Sequence, residues 1–404
     1  MLWLVCLLNY ADRQAIFSVF DPIKGEMGLS DWQLGVIGSS FMWVYALALP
    51  LAGLVGDRVS RKRLILGGLA FWSAVTVATA FARGYWQLVA CRALEGLGEA
   101  FYFPAGLALI SDYHRRGTRS RAMALHQSSV YAGTVLGGTV AGLCGQYYGW
   151  RTGFLLFGGA GLLLAGVLTL TLREPARGAT DDAPPPPAEP GDLLRGVGEV
   201  LSAPMVLVLL GAFVGTVFVG SIFLAWMPTY LKREFGMSLA LAGLNATLWL
   251  QAASVLGVVA GGWLADALAA KTARGRVLVQ AAGLFLGAPL VFLAGWTRDV
   301  AVLVPALAGF GFFKGMYDAN TWAALYDVVS TRRRSTALGL VNGLGWLLGG
   351  ATAPVLIAYT AGRWGFGASI SAVSAVYVAT GLLLVGGAVA FLPRGPLPAP
   401  PVGR

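Results

Sequence analysis

The sequence predicts an all-α membrane protein of twelve transmembrane helices in two six-helix bundles, and three observations predict it. Of the 404 residues, 57% are hydrophobic and only 12% charged, a balance far from that of water-soluble domains. Apolar stretches long enough to cross a hydrocarbon core, about 20 residues each, recur one after another between short polar turns. Positive charge gathers in alternate turns, as it does when one set of loops faces the cytoplasm.

In chain order, stretch 1–20 starts at Met1 without a positive leader region or a small-residue cleavage site and contains Asp12-Arg13, so it is expected to be a retained span. Stretch 31–55 follows and leads into a turn carrying Arg58, Arg61, Lys62 and Arg63. Stretches 63–82 and 85–110 are separated by Arg83, and Arg115, Arg116, Arg119 and Arg121 come after the fourth. Stretches 121–145 and 150–171, separated by a turn next to Arg151, complete the first half. Stretches 203–230 and 239–265 flank Lys232-Arg233, which has an acidic neighbour, and Lys271, Arg274 and Arg276 follow. Stretches 276–295 and 300–327 flank Arg298, again beside an acid, and lead to Arg332, Arg333 and Arg334. Stretches 335–360 and 366–392, with Arg363 between them, close the chain. The heavily basic turns place both termini and the central loop in the cytoplasm, in what is expected to be a bacterial inner membrane.

The net charge of +10 does not indicate nucleic acid, because the cations are dispersed among loops instead of lining one soluble face. Cys6, Cys91 and Cys144 lie in apolar spans without CxxC spacing, and His114 and His126 have no ligand-spaced companion, so neither a disulfide nor a metal is expected. Residues 173–200, with Asp181-Asp182-Ala183 before four prolines, cannot pack an apolar core and read as a cytoplasmic linker. The expected organisation is therefore a bundle at 1–172, a linker at 173–200 and a second bundle at 201–404.

The halves echo each other. Gly53-Leu54-Val55-Gly56-Asp57-Arg58 after the second span is mirrored by Gly262-Trp263-Leu264-Ala265-Asp266 after the eighth, and Gly96-Leu97-Gly98 in the fourth by Gly309-Phe310-Gly311 in the tenth. Internal repeats of this kind suit two bundles that rock around a central site. With Val59-Ser60-Arg61-Lys62-Arg63 appended, the first loop resembles the signature of the major facilitator superfamily, and the resemblance extends over essentially the whole chain. It implies that Asp57, Arg58, Arg61 and Asp266 belong to cytoplasmic gates holding helix ends together in an outward-facing state. An acid near a helix end and an arginine make a suitable charge-assisted latch. No arginine directly follows Asp266, so the second gate is expected to be weaker.

Asn9-Tyr10-Ala11-Asp12-Arg13 and Arg92-Ala93-Leu94-Glu95-Gly96-Leu97-Gly98-Glu99-Ala100 resemble motifs of spinster-like transporters and of the neighbouring anion:cation symporters for sugar acids. The first resemblance, joined by His126-Gln127-Ser128-Ser129-Val130-Tyr131-Ala132-Gly133, implies a lysophospholipid or sphingoid-phosphate-like substrate. The second implies hexuronates or related carboxylates.

The residues themselves carry a mechanism. Ionisable groups in hydrocarbon are costly and mark substrate or ion paths; here they are Asp12, Arg13, Arg92, Glu99, Lys314 and Asp318. Arg92 and Glu99 are seven positions apart, which places them on nearly one helix face and about 10 Å apart along the axis. An ion pair of Arg92 with Asp12 or Glu99 lowers the burial cost, and an arriving anion can compete for the arginine and free the acid to take a proton. A fixed structural salt bridge is the alternative. Glu99 is the preferred proton carrier and Asp12 the second choice, while Arg13 and Arg92 offer planar donor forks for an anion. Asp12 and Arg13 point about 100° apart on a helix and are not expected to pair with each other. Further substrate contacts are expected from Lys314 and Asp318, spaced i,i+4, and from Tyr317, Asn320, Asn342, Gln127 and Tyr131, although such polar groups also satisfy neighbouring helices. Trp32, Trp86, Trp150 and Trp364 near span ends fit an interfacial belt, and Gly133, Gly137, Gly138 and Gly142 fit close helix packing.

No phosphate loop, His-Glu-x-x-His or nucleophile elbow occurs, so neither ATP-driven transport nor an enzyme is expected, and no cofactor is called for. The sequence thus predicts a secondary transporter, functional as a monomer, that moves an organic anion or amphiphilic lipid with protons by alternating access, in contact with membrane lipids. Proton-coupled uptake of a small carboxylate and a non-transporting membrane sensor are the competing expectations.

Overall fold

The computed structural model describes residues 1–175, 192–330 and 333–395. It is all-helical, with no strand among the described residues. The first half comprises α1 (Leu2–Ser18), α2 (Phe20–Met27), α3 (Asp31–Arg58), α4 (Arg61–Thr79), α5 (Tyr85–Ala100), α6 (Tyr102–Tyr113), α7 (Arg116–Tyr147) and α8 (Trp150–Thr171). The second half opens with α9 (Asp192–Ser202), followed by α10 (Pro204–Phe235), α11 (Leu239–Ala269), α12 (Gly275–Trp296) and α13 (Val300–Asp318). It ends with α14 (Thr321–Val328), α15 (Arg334–Gly345), a π-helical turn at Trp346–Gly350, α16 (Ala353–Trp364), α17 (Phe366–Ala372) and α18 (Ser374–Phe391).

Each of the twelve predicted spans is helical, and five are interrupted where the sequence reading drew them continuous. The first breaks at Val19, the fourth at Phe101 and the twelfth at Val373, while the tenth breaks at Ala319-Asn320 and the eleventh at the π turn. Local chemistry accounts for part of this. Pro104 and Pro354 stand in the first turns of α6 and α16, where a missing N–H is tolerated. Asn320 donates to the carbonyls of Met316 (3.1 Å) and Gly261 (3.2 Å), so its amide caps main chain at the break.

Eight described helices or helix pairs are long and apolar enough to cross a membrane by length and composition alone. The first, third, fourth and fifth spans are not among them; in the first and fourth, Asp12, Arg13, Arg92, Glu95 and Glu99 lower the hydropathy. Side-chain caps mark the starts of α3 and α4. Ser30 and Gln33 form a reciprocal capping box at α3, and Ser60 caps α4 by accepting from the Arg63 N–H at 3.2 Å. Of the expected linker, residues 176–191 lie outside the described residues, and Asp192–Ser202 is helical.

Two compact units result. One comprises Met1–Ala188 with Gly220–Leu248 and Gly350–Phe366; the other comprises Glu189–Val219, Trp249–Gly349 and Gly367–Arg404. In the first unit, Val5, Cys6, Ile65, Leu69, Trp72, Tyr102, Leu109 and Leu168 form a core shared by α1, α4, α6 and α8. In the second, α12 packs between α13 and α18. Bare backbone sets the closest helix approaches. A Cβ on Gly96 would collide with the Phe41 carbonyl of α3, and one on Gly311 would collide with the Leu250 carbonyl of α11. Each half thus has such an approach, made by the first glycine of the echoed triplet in the fourth span and by the third glycine in the tenth.

Gly137 plays the corresponding part between α7 and α1, where a Cβ would strike the Ala11 backbone. Gly137→Ala is therefore expected to lower the melting temperature in detergent, at an overpacking cost of about 1–3 kcal/mol. Gly159→Ala, with nothing within 4 Å of the new methyl, should leave it unchanged or raise it. A Gly137→Ala protein as stable as Gly159→Ala contradicts this account of the packing.

Candidate functional site

The close approach of α7 to α1 and of α5 to α3 encloses five charged side chains in the first unit. From α1 come Asp12 (0% exposed) and Arg13 (7%), and from α5 come Arg92 (0%), Glu95 (0%) and Glu99 (1%). Arg92, Glu95 and Glu99 recur at i, i+3 and i+7, so α5 presents them as one stripe.

The pairing is definite. Arg13 donates from Nη2 (2.8 Å) and Nε (3.2 Å) to the same oxygen, Oε2 of Glu99. Arg92 donates from Nη1 to Glu95 Oε2 at 2.5 Å and from Nη2 to the Arg13 carbonyl at 3.4 Å. This corrects the expected partner of Arg92, which is Glu95 on its own helix and neither Asp12 nor Glu99. Glu95 is one turn from Arg92, whereas Asp12 is on another helix and Glu99 is two turns away and taken by Arg13; the Arg92-x-x-Glu95 spacing was the available signal.

Aromatic rings complete the enclosure. The Arg13 guanidinium lies 4.7 Å from the ring centres of Tyr10, Phe41 and Tyr45, and Arg92 lies 4.8 Å from that of Phe41. Such cation–π contacts hold a guanidinium away from water without discharging it. Sequence reasoning did not single out Tyr45 or Phe41, although Tyr10 at i−3 from Arg13 was a legible neighbour.

Satisfaction is incomplete at specific atoms. Among the described residues, both carboxylate oxygens of Asp12, one oxygen each of Glu95 and Glu99, and Nε of Arg92 are buried without a hydrogen-bond partner. The cluster holds three carboxyl groups and two guanidiniums, so an acid remains after each arginine has taken one. Asp12 is that acid.

The remaining candidates are distributed. On α7, Gln127 is exposed and Tyr131 half-buried. On α13, Lys314 pairs with Asp318, both partly exposed, while Tyr317 is buried on the same helix. Asn320 is buried and bonded to main chain, and Asn342 is half-buried on α15. These α13 to α15 residues belong to the second unit, described separately from the charge cluster.

Of the gate residues, Asp57 and Arg58 stand in the last turn of α3, and their side chains lie outside the described residues. Arg61 forms an ion pair with Asp112 at the end of α6. In the second unit Arg276 bridges Asp266 and Asp327, each at 3.0 Å. Both halves therefore set an arginine from the start of one helix against an acid at the end of the next but one, and Asp112 and Asp327 are partners that sequence reasoning missed.

Within the first unit, a second network joins α2 and α3 to α10. Arg233 makes a bidentate pair with Asp31 (2.9 and 2.9 Å) and donates to Asp21 at 2.8 Å, while Lys24 reaches Asp31 at 2.8 Å. The Trp226 indole donates to the Pro354 carbonyl at 2.9 Å, and Gln14 to that of Leu224 at 2.8 Å. Nearby Glu26 accepts from Arg151 and Trp150, and the Arg151 hydrogen bond holds its carboxyl below the ordinary range. Lys232-Arg233, read from sequence only as a topological charge, is part of this clasp.

The family model described as Major Facilitator Superfamily matches residues 2–354. Protein spinster homolog 1 of Bos taurus is 30% identical over 382 residues, 87% of this chain and 70% of that protein. The chain is a spinster-like member of the major facilitator superfamily. It is accordingly a multi-pass membrane transporter and not an enzyme. The transporter is also 28% identical to the hexuronate transporter of Bacillus subtilis, covering 84% of this chain and 82% of that one. Identity to the D-galactonate transporter of Escherichia coli is 26%, covering 96% and 94%. A solved bacterial homologue of the human lysosomal transporter Spinster, inward-facing and occupied, shares the fold with a TM-score of 0.82 at 23% identity over 96% of each chain.

Arg92→Gln should leave Glu95 as an uncompensated buried charge and cost about 3–5 kcal/mol of stability. Arg92→Gln/Glu95→Gln should recover most of that loss in thermal unfolding. Equal destabilisation of the single and double variants contradicts the pairing.

Proposed function

We propose that the transporter is a secondary active carrier of an organic anion, driven by protons and operating by alternating access. The observation carrying this reading is the Arg13–Glu99 pair, in which Arg13, the most exposed member of the cluster, uses two donors on one glutamate oxygen. A carboxylate or phosphate is a matched competitor for that donor fork. When an anion engages Arg13, Glu99 loses its counter-charge in a desolvated site and takes up a proton; when the anion leaves, Glu99 returns to Arg13 and releases it. Asp12, the acid without an arginine, is the second proton site.

The proposed substrate is an amphiphile with an anionic head, such as a lysophospholipid or sphingoid phosphate, a reading supported by the 30% identity to a spinster homologue. A small sugar acid is the second reading. It is favoured by the end-to-end match to the galactonate carrier, where 96% of this chain pairs with 94% of the relative. Lys314, Tyr317, Asp318, Asn320, Asn342, Gln127 and Tyr131 remain proposed contacts for either. We place both termini in the cytoplasm of a bacterial inner membrane, on the strength of the basic turns at Arg58–Arg63, Arg115–Arg121 and Lys271–Arg276. The Arg233 clasp then lies toward the opposite face and acts as an outer closure, with the Arg61–Asp112 and Arg276–Asp266 pairs at the cytoplasmic ends. We further propose that one chain suffices for transport.

In sealed proteoliposomes, Glu99→Gln is expected to abolish pH-gradient-driven accumulation while keeping counterflow of preloaded substrate. Equal loss of both activities removes the proton role. Arg13→Gln should weaken substrate affinity at least tenfold, the effect expected for a lost charge-assisted bidentate contact; unchanged affinity removes the anion-binding role. Running lysophosphatidic acid and galacturonate side by side decides between the two substrate classes.

A further inference from the structure

We propose that a groove between α4 and α5 binds one anionic phospholipid, its acyl chain lying along the groove and its phosphate at Arg63. The groove has a volume of about 330 Å³. Its walls are Phe71 of α4, Leu97 of α5 and Phe101 at the break after α5, and its floor is bare backbone at Gly67, Gly68 and Gly98. It opens on the outside of the bundle, where Phe71 is 42% and Leu97 37% exposed. In a membrane-spanning helix such a surface meets lipid, so the occupant is set by the solvent itself.

The cation at its end is unlike its neighbours. Arg61 is engaged with Asp112, and the Lys62 ammonium donates to the Thr169 carbonyl at 3.0 Å. The exposed Arg63 guanidinium makes no ion pair or hydrogen bond among the described residues; only its backbone N–H is used, by Ser60. Arg63, Gly67 and Phe71 follow at i, i+4 and i+8, so the guanidinium, the glycine floor and the aromatic wall lie along one face over about 12 Å. Arg63 stands in the first turn of α4, beside the basic turn that follows α3. This is headgroup depth, where a planar donor fork matches a phosphodiester. A zwitterionic head would answer the guanidinium with its phosphate but bring its own ammonium to the cations Arg61, Lys62 and Arg63, which is why the occupant is a net anion. The proposal concerns the outer surface of the first bundle and does not depend on the transported substrate.

The test is native mass spectrometry of the full chain after exchange from detergent into a fixed mixture of phosphatidylglycerol and phosphatidylethanolamine. The unmodified protein should retain one phosphatidylglycerol in preference. Arg63→Gln should reduce that preference about fivefold, the factor that one surface cation gives near anionic lipid. Gly67→Leu should abolish the retained lipid, because its side chain enters the groove with no protein atom within 4 Å of the new Cβ. If that variant does not fold, Leu97→Trp blocks the groove from the other helix. Arg121→Gln, removing an exposed arginine elsewhere, should change nothing. Loss of preference equal to that of Arg63→Gln in Arg121→Gln, or lipid retained in a folded groove-filling variant, overturns the proposal.

Discussion

Burying five ionisable side chains in one helical bundle is the constraint from which the first half of this transporter follows. Each guanidinium removed from water requires a carboxylate and a low-polarity support. The structure supplies Glu99 and Glu95 as the carboxylates and Tyr10, Phe41 and Tyr45 as the support. To bring α5 against α3 closely enough for this, Gly96 leaves its backbone bare; to bring α7 against α1, Gly137 does the same. The glycines and the charges are therefore one design, in which close packing excludes water and the excluded water makes each pairing consequential.

The same interaction links fold to the proposed function. A carboxylate held by an arginine through a single oxygen is stable only while no better anion arrives. In the proposed cycle, substrate and proton are coupled through this shared partner. The ion pairs at Arg61, Arg276 and Arg233 lie at helix ends, where they are partly exposed and worth less individually. That modest strength suits the proposed gates, which form and break in a cycle, whereas in the buried cluster only the Arg13–Glu99 pair is proposed to exchange while Arg92–Glu95 stays closed.

Much of this was legible in the sequence, for physical reasons that differ by element. Helical spans follow from hydropathy, because a bilayer leaves no other way to satisfy the backbone. The repeat was visible as Gly96-Leu97-Gly98 and Gly309-Phe310-Gly311, and one glycine of each triplet, Gly96 and Gly311, meets the backbone of a neighbouring helix. Asp12, Arg13, Arg92 and Glu99 stood out as charges in apolar runs, and all four converge. What sequence did not reveal was who pairs with whom. Glu95 sat three residues from Arg92, yet the expected partners were Asp12 on another helix and Glu99 two turns further along the same one. Asp112 and Asp327 were not singled out in the sequence, and only the folded helix ends bring Arg61 and Arg276 to them. The breaks at Phe101 and Val373 were also missed, since a helix can be interrupted by tertiary packing without any local proline at the break itself. Asn320, expected among substrate contacts, is held instead by the carbonyls of its own helix break and of Gly261.

The central claim is that anion binding at Arg13 transfers a proton to the acid it releases. Its most direct measurement is proton uptake by purified protein in lightly buffered detergent, followed with an indicator dye as substrate anion is added. The account predicts uptake of about one proton per bound anion, absent in Glu99→Gln. Saturable anion binding to the unmodified protein with no change in bound protons contradicts it.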